Sequence, residues 1–209
     1  TTNLQYATTD PHTNPAGVIY ALTVNKNACI PAPTTSTVTM CKVDQNETPL
    51  SGWTLTLKGT SVEDVVVDSA IMAGVNTVAS LALGMPYVIT AMGEWLNTGQ
   101  AGNVVDAEYS TVDAWVTPVD GFTGYSTNIL ELQVNSTFDP NANWGAYNAS
   151  HTYARAFTGL GAPINLRVFD GNGVTPESGW YSDNVGSLNV NVSNGYTGVT
   201  GEYGCFTLE

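Results

Sequence analysis

The side chains of this chain best suited to chemistry are oxygen donors gathered late in the sequence: Asp170-Gly171-Asn172-Gly173, then Glu177, then Asp183-Asn184. Calcium takes about six to eight oxygens from carboxylates, carboxamides and backbone carbonyls. Asp170, Asn172, Glu177, Asp183 and Asn184 offer five such side chains, and Ca2+ is the only cofactor the sequence suggests. EF-hand spacing is absent, because Tyr181 rather than glutamate stands twelfth from Asp170. A plainer reading competes, since Asp-Gly and Asn-Gly are common hairpin-turn residues.

Aromatic side chains suggest a second chemistry, stacking on sugar rings. The tryptophans are Trp53, Trp95, Trp115, Trp144 and Trp180. Most tryptophans in a small β-protein serve core or interface. Trp144 (Trp144-Gly145-Ala146-Tyr147) and Trp180 (Gly179-Trp180-Tyr181) lie among loop residues, which makes them the better sugar candidates. Catalysis has little support. The histidines are His12 and His151, and no zincin motif, nucleophile elbow or phosphate loop occurs. His151, between Asn148-Ala149-Ser150 and Thr152-Tyr153, reads as a hydrogen-bonded structural residue. The chain is not expected to be an enzyme.

Covalent chemistry is limited to three cysteines and four sequons. Two cysteines of an exported chain are expected to pair. Cys41–Cys205 would join a first strand to a last one. Cys29–Cys41 would instead staple the N-terminal segment to its own module, and the sequence leaves both open. Asn46, Asn135, Asn148 and Asn191 head Asn-X-Ser/Thr triplets, candidate glycosylation sites if the source glycosylates exported proteins.

The bulk composition narrows the class. Across 209 residues, hydrophobic residues make up 43% and charged ones 11%, so the chain can bury a core. The net charge is -13, with Lys26, Lys42, Lys58, Arg155 and Arg167 the sole basic residues. Such a surface repels nucleic-acid backbones and anionic membranes. The most apolar stretch, Val78 to Trp95, is broken by Gly84-Met85-Pro86 and carries Glu94, so it reads as strand, turn, strand and not a membrane span. The sequence starts Thr1-Thr2 with no basic-then-apolar leader and stops at Phe206-Thr207-Leu208-Glu209. It is read as a mature extracellular chain without an anchor.

The elements that must position these side chains are strands. Helical periodicity is absent, Thr and Val abound, and turn residues recur about every ten positions, the pattern of β-sandwiches and barrels. An immunoglobulin-like module is expected over 36–98, with strands Thr37–Val43, Trp53–Gly59, Val62–Met72, Val75–Leu83 and Tyr87–Trp95, completed by 199–208 and a donor strand. A second β-sandwich or jelly-roll-like module is expected over 99–198. Its strands are Val104–Val119, Ile129–Val134, Thr152–Phe157, Ile164–Phe169 and Leu188–Val192. Ile164, Leu166 and Val168 alternate with polar residues, as do Leu188, Val190 and Val192, marking antiparallel sheets with one core face.

Residues 1–35 form a strand without a sheet. Val18, Tyr20, Leu22 and Val24 share one face at period two, preceded by the short run Leu4-Gln5-Tyr6-Ala7-Thr8. Asp10-Pro11, Asn14-Pro15 and Pro31-Ala32-Pro33 isolate them. A lone strand either folds back onto its own module or adds to another copy's sheet. In the second case Leu4, Tyr6, Val18, Tyr20, Leu22 and Val24 are the donor residues.

Lys42-Val43-Asp44 through Trp53-Thr54-Leu55-Thr56-Leu57 resembles the opening hairpin of Cna-B-like and prealbumin-like domains of bacterial surface proteins and pilins. Leu83-Gly84-Met85-Pro86-Tyr87-Val88-Ile89-Thr90 is similar to a later strand of the same group. The resemblance places Lys42 where that family has an isopeptide-forming lysine, but Glu202–Leu208 offers no partner Asn. Tyr181-Ser182-Asp183-Asn184-Val185-Gly186-Ser187-Leu188 is similar to a strand opening of calcium-dependent lectins and other sandwich domains. The whole layout resembles, in architecture, pilins assembled by donor-strand exchange. The resemblance implies a structural subunit of a pilus-like helical fibre on a bacterial surface, whose partners are other copies of itself. The alternative is a secreted carbohydrate-binding, lectin-like sandwich that uses calcium.

Overall fold

The computed structural model describes residues 5–8, 22–24, 37–97, 103–111, 114–115, 128–135, 144–172, 175–176 and 178–208. Alternating Val, Ile, Leu and Thr stretches, interrupted by Gly and Asn, make strands of more than half of them. In chain order these are β1 (Gln5–Thr8), β2 (Leu22–Val24), β3 (Val38–Cys41), β4 (Thr54–Asp68), β5 (Val75–Asn76), β6 (Pro86–Met92) and β7 (Trp95–Asn97). There follow β8 (Asn103–Val105), β9 (Asn128–Val134), β10 (Thr152–Thr158), β11 (Asn165–Asn172), β12 (Thr175–Pro176), β13 (Asn184–Val199) and β14 (Cys205–Leu208). A single turn of 3-10 helix, Trp180–Asp183, leads into β13. The fold is all-β and sandwich-like. Among the described residues no helix is long and apolar enough to cross a membrane.

The chain forms two compact units. One is built from Lys58–Tyr196, the other from Leu4–Leu57 with Thr197–Glu209. The sequence-drawn division at residue 98 is therefore corrected. β6 pairs antiparallel with both β10 and β13, so a strand assigned to the first module lies between strands assigned to the second. Long-range pairing of this kind leaves no local trace in the sequence. In the larger unit one sheet runs in the order β4-β13-β6-β10, with β7 joining β13 to β8. The second sheet places β11 between β12 and β5, with β9 also paired to β11. One cluster unites inward residues of both sheets, including Ile89, Ala91, Val190 and Val192 with Leu130, Leu132, Leu166 and Val168. Each fully buried Val, Leu or Ile among them contributes about 1.5–3 kcal/mol.

Several strand bounds move. Trp53–Gly59 and Val62–Met72 merge into the fifteen residues of β4, because Gly59 and Thr60 continue the extended chain without a turn. Val75–Leu83 shrinks to β5, and Val78 stands 91% exposed in the loop that follows. Tyr87–Trp95 is cut in two at Gly93, whose φ of 101° breaks the extended run. Among the described residues Val104–Val119 keeps strand structure over β8, and Val199–Leu208 divides between the last residue of β13 and β14.

In the smaller unit β3 lies between β14 and β2. Cys205 faces Cys41 in the β14–β3 register and a disulfide joins them. With Cys41 so committed, the alternative Cys29–Cys41 bond is not made; Cys29 itself lies outside the described residues. Lys42, buried, places its Nζ 4.8 Å from the centre of the Trp53 ring. Thr200 ties this end together by donating its hydroxyl to Leu50 O (2.7 Å) and accepting the Trp53 N–H (3.0 Å). Both N-terminal runs pair within the chain, β1 with β4 and β2 with β3. Leu4, Val18 and Tyr20 lie outside the described residues, as do the side chains of Tyr6, Leu22 and Val24.

Candidate metal centre

β11 places the central ligand candidate. Its alternation turns Leu166 and Val168 into the core, and two residues on the same face presents Asp170, 1% exposed. A carboxylate thus takes a hydrophobe's place at the end of an apolar row. One of its oxygens, Oδ2, has no hydrogen-bond partner. The 3-10 turn packs on the same strand through Tyr181, whose hydroxyl donates to Val168 O (3.1 Å) and accepts the Asp170 N–H (3.0 Å). That anchor brings Asp183 and Asn184 to Asp170. Asn184, 5% exposed, donates its amide to Ser69 O (3.1 Å) and leaves Oδ1 unpartnered. β7 fixes the backbone here by pairing Asn97 with Asn184.

The electrostatics agree. Burial pushes the Asp170 carboxyl up to about 6 from an ordinary 3.8; a hydrogen bond from Asn184 opposes the shift, and the Asp183 charge adds to it. Buried oxygens short of positive charge are what a hard cation neutralises. Two carboxylates and a carboxamide with harder oxygen atoms suit calcium better than zinc. Among the described residues no group of three or more His, Cys, Asp or Glu converges to hold a metal, so the set is mixed and needs backbone oxygens or water as well. The side chains of Asn172 and Glu177 lie outside the described residues.

The two sugar-stacking candidates separate. Trp180 sits in the 3-10 turn, 36% exposed, three residues before Asp183. Trp144 is 3% exposed, donates Nε1–H to Leu132 O (2.9 Å), and is corrected to a core residue. Its Trp-Gly-Ala-Tyr context reads as loop, but the side chain packs in the core cluster, with the Arg155 guanidinium 5.4 Å from its ring.

Sequence reasoning missed a second polar cluster. Asp106, fully buried, accepts N–H bonds from Glu108 (2.8 Å) and Tyr109 (2.7 Å) on Oδ1. Its Oδ2 accepts the Tyr153 hydroxyl (2.6 Å) and lies 2.9 Å from His151 Nδ1. His151 Nε2 is 3.0 Å from Glu94. Trp115 lies against the His151 ring (centroids 4.7 Å apart) and stacks on Tyr147. Glu108 accepts the Trp144 N–H (2.8 Å). The short run Asp106-Ala107-Glu108-Tyr109, two acids and a tyrosine beside apolar strand residues, is the signal that could have found it.

The sequons also differ. Asn46 is exposed in a turn whose Asp44 accepts the N–H groups of Asn46 and Thr48 (both 2.8 Å). Asn191 uses its amide on Ser61 (2.8 Å) and Asp64 (2.7 Å), Asn148 on Thr152 O (3.0 Å). Asn135 has φ 57° and accepts the Asn165 N–H (2.9 Å).

No family model matches this chain, and no curated protein matches it in sequence. Among solved structures it is similar to the EclA N-terminal domain, a PllA-like lectin. The identity is 20% over 64% of this chain and 96% of that one, with a TM-score of 0.34. A likeness of that extent assigns no ligand here.

Proposed function

We propose that this protein is an extracellular β-sandwich that holds calcium at Asp170, Asp183 and Asn184 and binds a glycan beside it, with Trp180 as the stacking face. The carrying observation is Asp170: a carboxylate 1% exposed, with one oxygen unpartnered and the Asn184 carbonyl oxygen likewise unpartnered near it. A buried charge persists when something pairs it. Trp180 favours a sugar over a purely structural ion, because the same four-residue turn presents an exposed aromatic next to the ligands. The disulfide fits an exported protein. The test is thermal unfolding with calcium or chelator, followed by glycan arrays in both conditions. A single site at a hundred times its dissociation constant stabilises by about 2.7 kcal/mol. A melting curve indifferent to calcium sinks the reading.

A second reading has its own observation. β2 pairs with β3 over three residues at the edge of a three-stranded sheet. An N-terminal edge strand suits exchange between copies, which would make the chain a fibre subunit. Electron microscopy of the native protein beside a 1–25 deletion tests it: filaments that vanish with the deletion support it, and their absence from the native protein removes it.

A further inference from the structure

We propose that two adjoining loops of the larger unit form a lipid-docking ridge, on which Leu83, Met85 and Leu160 insert into the surface of a bilayer with electrically neutral headgroups. One loop leads from β5 into β6, the other joins β10 to β11. Each residue of 82–85 and 160–163 is exposed, and none of those eight has a side-chain nitrogen or oxygen. Leu83 is 78% exposed, Leu160 58% and Met85 51%. Single exposed hydrophobes are ordinary, whereas a contiguous set marks an interaction surface. This set is contiguous: a Cβ built on Gly161 would lie 3.5 Å from Leu83 Cβ.

The backbone of the ridge is prepared for a low dielectric. Leu81 N–H donates to Ala162 O (3.0 Å), Gly161 N–H to Leu81 O (2.8 Å), Gly84 N–H to Gly159 O (2.8 Å) and Gly159 N–H to Met85 O (2.8 Å). Met85 N–H closes a turn onto Ala82 O (3.1 Å), and the Tyr87 hydroxyl accepts the Ala82 N–H (2.9 Å). Backbone groups already bonded cost far less to take out of water. Gly159 permits the close approach of the two loops, since a Cβ there would strike the Ala82 carbonyl and the Tyr87 ring. The ridge is therefore preformed and orders little on docking.

Charge and size select the occupant. The chain carries a net -13, yet no charged residue stands between Asp68 and Glu94 or between Arg155 and Arg167. Glu63 approaches the first loop, where its carboxylate accepts the N–H groups of Val78 (3.0 Å) and Ala79 (2.9 Å). Anionic lipid would repel the rest of so acidic a molecule, and neutral lipid does not. Two copies repel each other for the same reason. Eight residues also fall short of the roughly 20–30 a side that a stable protein interface takes. A small uncharged ridge with long flexible apolar side chains suits the boundary between headgroups and acyl chains, about 5–10 Å deep.

Vesicle flotation decides it, with the full-length chain, sugar-free phosphatidylcholine vesicles and chelator throughout, so that neither calcium nor a glycan takes part. The parent should float with the vesicles, and less so when a third of the lipid is phosphatidylserine at low salt. Leu83→Asn/Leu160→Asn should bind about tenfold less or weaker still, while melting like the parent because both positions are exposed. Met85→Gln, a milder change, should lower binding by a smaller factor. A parent that stays in solution with phosphatidylcholine overturns the proposal, as does a double variant that floats like the parent. A parental dimer in analytical ultracentrifugation that the double variant lacks makes the ridge a contact between copies and overturns the lipid assignment.

Discussion

Asp170 occupies a position where the alternation of β11 calls for a hydrophobe, and its chemistry follows from that. With its pKa raised to about 6 from 3.8, the folded, cation-free protein holds a proton that the unfolded chain releases. Stability without calcium is therefore greatest at or below about pH 4, falls as pH rises through about 6 and stays low above it, by up to about 3 kcal/mol. Calcium should reverse this loss at pH 7.5 and do little at pH 4.5, as read by melting curves at the two values. Asp170→Asn should melt higher than the parent in chelator at pH 7.5 and show no gain from calcium; a retained calcium response would clear Asp170 of any ligand role. Trp180→Ala should keep stability within about 0.5 kcal/mol, as half-exposed positions do, while glycan affinity drops at least tenfold by calorimetry. Tyr153 is a contrasting case. Burial first, and its bond to Asp106 second, hold its hydroxyl protonated far above the usual range. Tyr153→Phe leaves Asp106 short of a donor and should cost about 1.5–3 kcal/mol in urea unfolding.

At the scale of elements, the alternating strands were legible because the side-chain period of a strand is local. Ile164, Leu166, Val168, Leu188, Val190 and Val192 are all buried in the core, as their spacing predicts. Where strands end was less legible. Val75–Leu83 is as apolar as its neighbours, yet most of it is loop: continuous pairing with β11 stops at Asn76, and beyond it Thr77 N–H reaches Ile164 O (2.9 Å) and Leu81 makes one isolated bridge to Ala162. The turn before β5 also depends on a contact invisible in sequence. Gly74 has φ 65°, and a Cβ there would strike the Leu166 carbonyl and the Arg167 side chain of β11. Gly74→Ala should therefore cost about 2–4 kcal/mol, the left-handed backbone and overpacking together. It would appear as a lower urea midpoint with an unchanged slope. Part of the candidate site was readable too. Asp183-Asn184 stood out, but the role of Tyr181 in pinning that turn onto β11 requires the fold.

For the whole molecule, the Cys41–Cys205 bond closes a sequence separation of 164 residues. By chain entropy such a loop is worth about 5 kcal/mol, and engineered or strained bonds deliver less. A Cys41→Ser/Cys205→Ser variant should lose roughly 3–5 kcal/mol in the unit that contains the bond. Trp53, beside Lys42 in that unit, gives a local fluorescence signal for the loss. The sequence alone determined the all-β class, the acidic surface, the inward faces of the best strands and the oxygen-rich run around Asp170. Each is a property of composition or of neighbours a few residues apart. Tertiary structure decided which strands share a sheet, that Trp144 is core and Trp180 is not, that Asp106 meets His151, and which cysteines pair. Those outcomes depend on contacts between residues 36, 45 and 164 positions apart. Many arrangements of equally good strands satisfy the same local pattern, and packing of all of them together selects one.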